Sequence, residues 1–200
     1  MSERTDVAPS AIANFEPCNA SRVLLAQRRE GAIGSTIVPV LEGTRPLLVE
    51  VQALTSPTAI SVPRRVATGI DVSRLLLICA VLTKKVGLPL VGQDVVVNVA
   101  GGLRITEPAA DLGVALAIAS SLRNVPVMPH NVAVAGEIGL TGEVRSVPQM
   151  ERRFDEVSRL GLTQFIVPGS WRQGSSNGVA AVPVSTLTDA LAMHLPAQRS

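Results

Sequence analysis

The chain has 200 residues, of which 46% are hydrophobic and only 2% are aromatic. Such a length suits a single domain, and an aliphatic core favours layered α/β packing over an aromatic-rich β-sandwich. A formal net charge of +2 argues against a strongly basic nucleic-acid-binding arm, and two cysteines and two histidines without CxxC or HExxH spacing argue against a disulfide framework or a metal site.

The two ends of the chain differ in composition from the middle. Residues 1–20 mix Ser, Ala, Pro, Asn and charged residues without a period, which is typical of a mobile leader or a linker remnant. We therefore expect one domain over 21–195 and a short tail over 196–200. The start lacks the apolar stretch of a signal peptide, and the apolar runs are too short or too amphipathic to span a bilayer. We expect a cytoplasmic protein without a membrane partner.

The first half of the chain predicts a β-hairpin, a strand and a helix. Residues 35–41 and 46–54 are apolar and β-branched on either side of a polar turn, and Pro39 predicts an edge or bulged position for its strand. A short strand is expected within 60–67. A helix with a broad apolar face follows over 71–86, capped by an aspartate and closed by a glycine.

The middle of the chain predicts a buried strand and a central helix. Residues 93–100 are strongly β-branched, as in a strand that is covered on both faces. Thr106 is predicted to cap the next helix, with Pro108 in its first turn. This helix is apolar on nearly every side as far as Leu122, so it should be central. Asp111 in its first turn is explained by a favourable interaction with the helix dipole.

The remainder of the chain alternates strands and helices. We expect a strand at 132–135, a turn-rich hairpin at 136–145, a helix at 149–160, strands at 164–167 and 179–184, and a helix at 188–194. The predicted fold class is α/β (α+β), with mixed β-sheets packed against about four helices.

The sequence lacks the residues that several known types of catalytic site require. No GxxxxGK[ST] segment is present to cradle a nucleotide triphosphate, and no GxGxxG follows a strand. The chain has only two lysines, Lys84 and Lys85, and they adjoin at a helix end, where a solvated charge is more typical than a buried base. Paired basic residues such as Arg64-Arg65 and Arg152-Arg153 attract phosphate when they share a surface, but they are usually a solvated face.

Four blocks of sequence carry a family resemblance. They are LLVEVQALT, GIDVSRLLLICAVLTKKVGL, QDVVVNVAGGLRITEPAADLGVALAIASS and VAGEIGLTGEVRSVPQMERR. In this order, over about 19–169, the chain resembles the C-terminal Lon protease-like domain of the RadA (Sms) family of bacterial DNA repair proteins. The resemblance implies a Lon-like fold and a role in homologous recombination, within a protein that also holds a zinc finger and a RecA-like ATPase.

The resemblance also implies that the protease chemistry is lost. The Lon nucleophile motif falls on residues 106–111, and its serine position is Ala109; the position of its general-base lysine is Glu151. An alanine has no atom that can attack a carbonyl, and a carboxylate reverses the charge of the ammonium. We expect no catalytic residue, no peptidase activity and no cofactor. The chain also lacks the zinc site, the P-loop and the Lys-Asn-Arg-Phe-Gly segment of full RadA, which predicts an excised domain or a truncated relative without ATP hydrolysis.

DNA contact is the first functional hypothesis. Four arginines are the candidate phosphate-binding residues: Arg65, Arg74, Arg104 and Arg145. The expected DNA partner is single- or double-stranded. The resemblance implies a homo-oligomer, with a hexameric ring in the full-length protein. It also implies that the full-length protein has a RecA-type recombinase as a partner.

Two further hypotheses stay open. The chain is alternatively an oligomerisation module without DNA contact, which its low net charge favours. The third hypothesis is a Lon-type serine peptidase with a displaced nucleophile at Ser120 or Ser121, on the central apolar helix.

Overall fold

The computed structural model describes residues 21–22, 28–172 and 178–195. The predicted leader over 1–20 and the predicted tail over 196–200 lie outside these residues. The strands are β1 (Ser35–Glu42), β2 (Arg45–Pro57), β3 (Arg65–Thr68), β4 (Gln93–Val99), β5 (Val132–Val134), β6 (Glu137–Ile138), β7 (Val144–Arg145), β8 (Gln164–Pro168) and β9 (Ala180–Val184). Seven of them form a mixed sheet in the order β3-β4-β2-β1-β5-β8-β9, and β6 and β7 form a separate antiparallel pair.

Four α-helices lie within the described residues. They are α1 (Val72–Val81), α2 (Asp111–Arg123), α3 (Met150–Arg159) and α4 (Leu187–His194). A π-helical turn (Leu82–Val86) continues α1, and a 3₁₀ turn (Pro108–Ala110) precedes α2. The predicted mixed α/β fold with about four helices is confirmed. None of the described helices has the length and hydropathy that crossing a bilayer requires.

Strand β1 lies inside the sheet, between β2 and β5, so it is not an edge strand, but Pro39 itself lies at a position that only β2 pairs. The reason is the shortness of β5, which pairs with β1 through Ile37 and Ala133. Pro39 lies beyond that pairing, so its missing N–H costs no bond to β5. Its carbonyl instead accepts a hydrogen bond from Arg153 Nη1 at 2.5 Å.

Helix α1 begins and ends where the sequence predicts. The Asp71 side chain accepts hydrogen bonds from the backbone N–H groups of Ser73, at 2.8 Å, and Arg74, at 3.4 Å, which satisfies two donors of the first turn. At the other end Gly87 adopts a φ of 79°, a left-handed conformation that favours glycine. The inward face of α1 is buried, whereas part of its outward face remains apolar and exposed.

Helix α2 starts later than the sequence predicts. The 3₁₀ turn over Pro108–Ala110 comes first, and no side chain caps it, so the prediction of Thr106 as N-cap is wrong. The backbone near β6 satisfies the helix start instead, because the Leu112 N–H donates to the Gly136 carbonyl at 3.1 Å.

Glycine 113 lets α2 lie flush against the sheet. A Cβ at this position would stand 2.4 Å from Val38 Cγ2, and the Thr36 hydroxyl donates to the Gly113 carbonyl at 3.1 Å. Only a residue without a side chain fits this approach, which fixes the distance between α2 and β1.

The sheet separates two apolar clusters. Val38, Val49 and Val51 face the larger one, which α1, α2 and α4 cover. Alternate residues, Ile37 and Leu48, face the smaller one, which α3 covers. Because successive side chains of a strand point to opposite faces, β1 and β2 are buried on both sides. Each fully buried aliphatic side chain stabilises the fold by roughly 1.5–3 kcal/mol.

Candidate functional site

A cleft of about 510 Å³ opens between two helices in the described part of the chain. One wall is α1, the other is the start of α2, and the extended segment before Pro108 closes one side. Its apolar lining includes Ile70, Leu77 and Ile105, and its charged lining consists of Asp71, Arg74, Arg104, Glu107, Asp111 and Glu137. A volume of this size suits a small ligand or a peptide side chain.

A part-buried ion pair joins the two walls of the cleft. The guanidinium of Arg74 binds both carboxylate oxygens of Asp111, with Nε at 2.7 Å from Oδ1. The second oxygen of Asp111 also accepts the backbone N–H of Ile138 at 3.1 Å. Burial raises the pKa of Asp111, against the opposing effect of Arg74. Asp111 therefore does more than favour the helix dipole, since it ties α1, α2 and β6 together.

Arg74 and Arg104 are two of the predicted DNA-binding residues, and both line the cleft. Arg74 is largely neutralised, because Glu137 Oε1 also lies 3.8 Å from its Nη2. Arg104 is exposed, and no carboxylate of the described residues lies within ion-pair distance of it. Hydrogen bonds from Ser73 chiefly lower the pKa of Asp71, and the charge of Arg104 adds to this effect.

The other two predicted DNA-binding residues lie outside the cleft lining. Arg145 pairs in register with Glu137 across the β6–β7 hairpin and forms an exposed ion pair with Glu143. Arg65 lies at the edge of the sheet, where its guanidinium donates to the carbonyls of Leu90, at 3.0 Å, and Gln93, at 2.5 Å. The structure thus places Arg74 and Arg104 in one cleft and Arg65 elsewhere.

The two vestigial protease positions lie on facing elements. Ala109 sits in the 3₁₀ turn before α2 with 0% of its surface exposed, and its carbonyl accepts the Gly136 N–H at 3.0 Å. Glu151 lies on the exposed side of α3 and accepts a hydrogen bond from Trp171 Nε1 at 3.3 Å. Ala109 has no nucleophilic atom, and Glu151 is an exposed carboxylate.

A buried arginine bridges these two elements, and the sequence did not predict it. Arg153 has 0% exposure, and its Nη1 lies 2.9 Å from Glu107 Oε1. It also donates to the carbonyls of Pro39 and Pro148, while Glu107 accepts the Leu41 N–H at 2.7 Å. Arg153 follows Arg152 in a pair that is typical of a solvated face, so nothing local marks it as buried.

The candidate serines of the peptidase hypothesis are engaged with the backbone. Ser120 is fully buried, accepts the Gly34 N–H at 2.8 Å and donates to the Val125 carbonyl at 2.5 Å. Ser121 accepts the Thr55 N–H at 2.9 Å. Both lysines are exposed. Within the residues that the structure describes, no group of three or more His, Cys, Asp or Glu side chains is arranged to hold a metal ion.

The family comparison matches residues 69–170, just over half of the chain, to the family described as subunit ChlI of Mg-chelatase. The chain belongs to this domain family. The matched residues include both walls of the cleft, Ala109 and Arg153. The magnesium in that description concerns the protein for which the family is named.

The curated relatives of the chain carry the name DNA repair protein RadA. One from Halalkalibacterium halodurans is 50% identical over 184 residues, which is 90% of this chain and 40% of the relative. Others come from Bacillus subtilis, at 45% identity over 182 residues, and Synechocystis, at 44% over 185. The predicted resemblance to RadA is confirmed, and the chain spans about two fifths of the length of these relatives.

Proposed function

We propose that this chain is a non-catalytic, Lon-like domain of a RadA-type DNA repair protein, where it contacts DNA and contributes to the assembly of a ring. The non-catalytic part of the proposal rests on two elements: the turn that holds Ala109 and helix α3, which holds Glu151. Ala109 is enclosed and has no hydroxyl, and the Arg153–Glu107 ion pair ties its turn to α3. Side chains that hold the fold together thus adjoin both positions that the resemblance assigns to the dyad.

A peptidase assay tests this part of the proposal. We expect no cleavage of fluorescent casein by the chain, nor by the double variant Ala109→Ser/Glu151→Lys, because the side chain at position 109 is closed to substrate. Cleavage by the unmodified chain that disappears in Ser120→Ala would restore the peptidase hypothesis. Labelling of the unmodified chain by a serine-directed covalent probe would do the same.

Support for DNA contact is unequal among the four arginines. Arg104 is exposed and free of carboxylate partners among the described residues, so its charge is available to a phosphate. Arg74 and Arg145 already face carboxylates, and Arg65 is held by carbonyl groups. We therefore propose that Arg104 makes the main contribution.

A duplex titration at two salt concentrations tests the DNA contact. We expect Arg104→Glu to weaken duplex binding. The slope of log K against log salt should become less steep by about one unit, because each lost phosphate contact releases about one counterion fewer. Arg29→Glu, an exposed arginine that does not line the cleft, is the matched control and should change binding less. Unchanged affinity after charge reversal at Arg65, Arg74, Arg104 and Arg145 together would show that the site assignment is wrong.

An assembly role without DNA contact is the second candidate. The observation that favours it is the charge of the cleft, where four carboxylates face two arginines. This candidate predicts concentration-dependent oligomers by size-exclusion chromatography and no duplex binding at low salt. The hexameric ring and a RecA-type recombinase partner are proposals for the full-length protein, and they rest on the resemblance to RadA.

A further inference from the structure

The outward face of α1 is apolar and exposed along its length. Val72, Leu76 and Ala80 follow one another at intervals of four residues, and each is exposed. Leu75 and Ile78 on the opposite face are fully buried. A surface helix normally carries polar residues on its outer face, so a helix that is apolar on both faces indicates a surface that another molecule covers.

This face borders a shallow dish of about 310 Å³, separate from the cleft. Its lining includes Leu76 and Cys79 of α1 and Leu90 and Val91 of the segment before β4. Leu76 is 50% exposed and Val91 is 83% exposed, whereas Leu90 and Cys79 form the buried floor. The dish thus offers a concave apolar surface between the end of α1 and the start of β3.

The charges around the dish are all positive. Arg65 and Lys84 line it, and no acidic side chain does. In the described part of the chain, neither cation forms an ion pair with a carboxylate. The guanidinium of Arg65 donates to carbonyl groups of the Leu90–Gln93 segment, which engage its N–H groups without cancelling its charge. Arg65 therefore adds positive potential, and the exposed Lys84 is the cation that can contact a partner directly. A partner that fits this surface brings negative charge next to an apolar side chain.

We propose that the dish binds an acidic segment of a partner protein. A large apolar side chain of the segment packs between Leu76 and Val91, and its carboxylates contact Lys84, within the positive potential of Arg65. Phosphate contact alone would not require two exposed aliphatic side chains, so the surface favours a polypeptide over DNA. This inference is independent of the DNA contact proposed for Arg104, which lines a different concavity.

Peptide probes test the chemistry of the occupant. Three fluorescein-labelled 12-residue peptides are titrated with the chain by anisotropy: one of Glu and Leu, one with every Glu replaced by Lys, and one with every Leu replaced by Ser. We expect binding by the Glu/Leu peptide only. Equal binding by the Lys/Leu peptide, or no binding by the Glu/Leu peptide, overturns the proposal.

Variants of the chain test the location. Leu76→Ser and Lys84→Glu should each weaken binding of the Glu/Leu peptide by on the order of tenfold, as for a central contact of a small interface. Leu140→Ser removes a leucine that is 68% exposed outside the dish, and Lys85→Glu alters a lysine against Gly142; both are controls that should bind like the unmodified chain. Circular dichroism verifies that every variant is folded. Equal effects of the controls and the dish variants would contradict the assignment.

Two other occupants are outcomes of the same set of variants. Sedimentation velocity that shows a self-associated species, lost in Leu76→Ser, would assign the dish to a second copy of this chain and overturn the proposal. Duplex DNA binding that Lys84→Glu abolishes, with no loss of peptide binding in Leu76→Ser, would assign it to nucleic acid. Loss of DNA binding in Arg104→Glu with unchanged peptide binding leaves the two proposals separate and supports both.

Discussion

The guanidinium of Arg153 holds three parts of the chain together: its own helix α3, strand β1 at Pro39, and the turn before α2 at Glu107. A buried ion pair contributes little net stability when both partners are present, because both charges have lost their hydration. Removal of one partner is costly, since the other charge then remains without compensation.

We predict that Arg153→Met destabilises the chain by about 3–5 kcal/mol, because it leaves the Glu107 carboxylate without its cation. The free energy of unfolding in urea, followed by circular dichroism, measures this loss. Arg152→Met, at the exposed neighbouring position, should cost less than about 1 kcal/mol. The double variant Arg153→Met/Glu107→Gln should recover part of the loss, and a double variant as unstable as the two single losses combined would contradict the coupling.

At the residue scale the sequence predicts local interactions better than distant ones. The Asp71 cap follows from residues within one helical turn, and it is confirmed. The absence of a serine at Ala109 is visible directly. The burial of Arg153 depends on Glu107, 46 positions away in sequence, so the pattern around Arg152 and Arg153 cannot reveal which of them is buried.

The β6–β7 hairpin carries a carboxylate with a strongly shifted pKa. Hydrogen bonds from Thr141, together with the backbone and Arg145, lower the pKa of Glu143 to about 2. Because the folded-state pKa lies below the usual value, the ionised carboxylate stabilises the hairpin above about pH 4.5, and this contribution is lost as the pH falls towards 2.

We predict that Glu143→Gln lowers the urea midpoint of unfolding at pH 6, and that the difference from the unmodified chain shrinks as the pH falls from about 4.5 to 2. The difference shrinks because protonation at low pH neutralises Glu143, and the neutral side chain is then similar to glutamine. Glu30→Gln, an exposed carboxylate outside the hairpin, is the control. A difference that is constant over this pH range would contradict the assigned role of the carboxylate.

Element boundaries are predictable where one residue dominates the local energy. Gly87 ends the first helical segment because its left-handed backbone disfavours other residues. The start of α2 is not predictable in this way. The Leu112 N–H donates to the Gly136 carbonyl, next to β6, and this tertiary hydrogen bond removes the need for the threonine cap that the sequence indicates.

The whole molecule is organised around one sheet with an apolar cluster on each side. Because β1 and β2 contribute side chains to both clusters, we expect the two clusters to lose their packing together. The chain's single tryptophan, Trp171, packs against Phe154 in the smaller cluster at a ring-centroid distance of 5.5 Å. It therefore reports on that cluster alone.

We predict that Trp171 fluorescence and far-ultraviolet circular dichroism give the same urea midpoint, because the two clusters unfold as one cooperative unit. Phe154→Leu should lower both midpoints equally, by roughly 1–2 kcal/mol in free energy of unfolding. An earlier fluorescence transition, with most of the helical signal retained, would indicate that the smaller cluster melts independently.

At this scale composition and alternation predict the layered α/β class, which is confirmed, but not the order of the strands. Adjacency of β1 and β5 brings together segments about a hundred residues apart through one pair, Ile37 and Ala133. No local pattern specifies such a neighbour. Pro39 shows the same limit, because its strand lies inside the sheet and only the shortness of that distant strand leaves the Pro39 position unpaired on one side.

The contact at Gly113 has a mechanical consequence for the cleft. Helix α2 packs directly against Val38, so the cleft wall formed by Ala110, Asp111 and Val114 cannot move closer to the sheet. Because the Arg74–Asp111 ion pair also ties α1 to α2, we expect a ligand in the cleft to displace the extended segment at Arg104 instead. The wall of the cleft that can move is therefore the one with the exposed arginine.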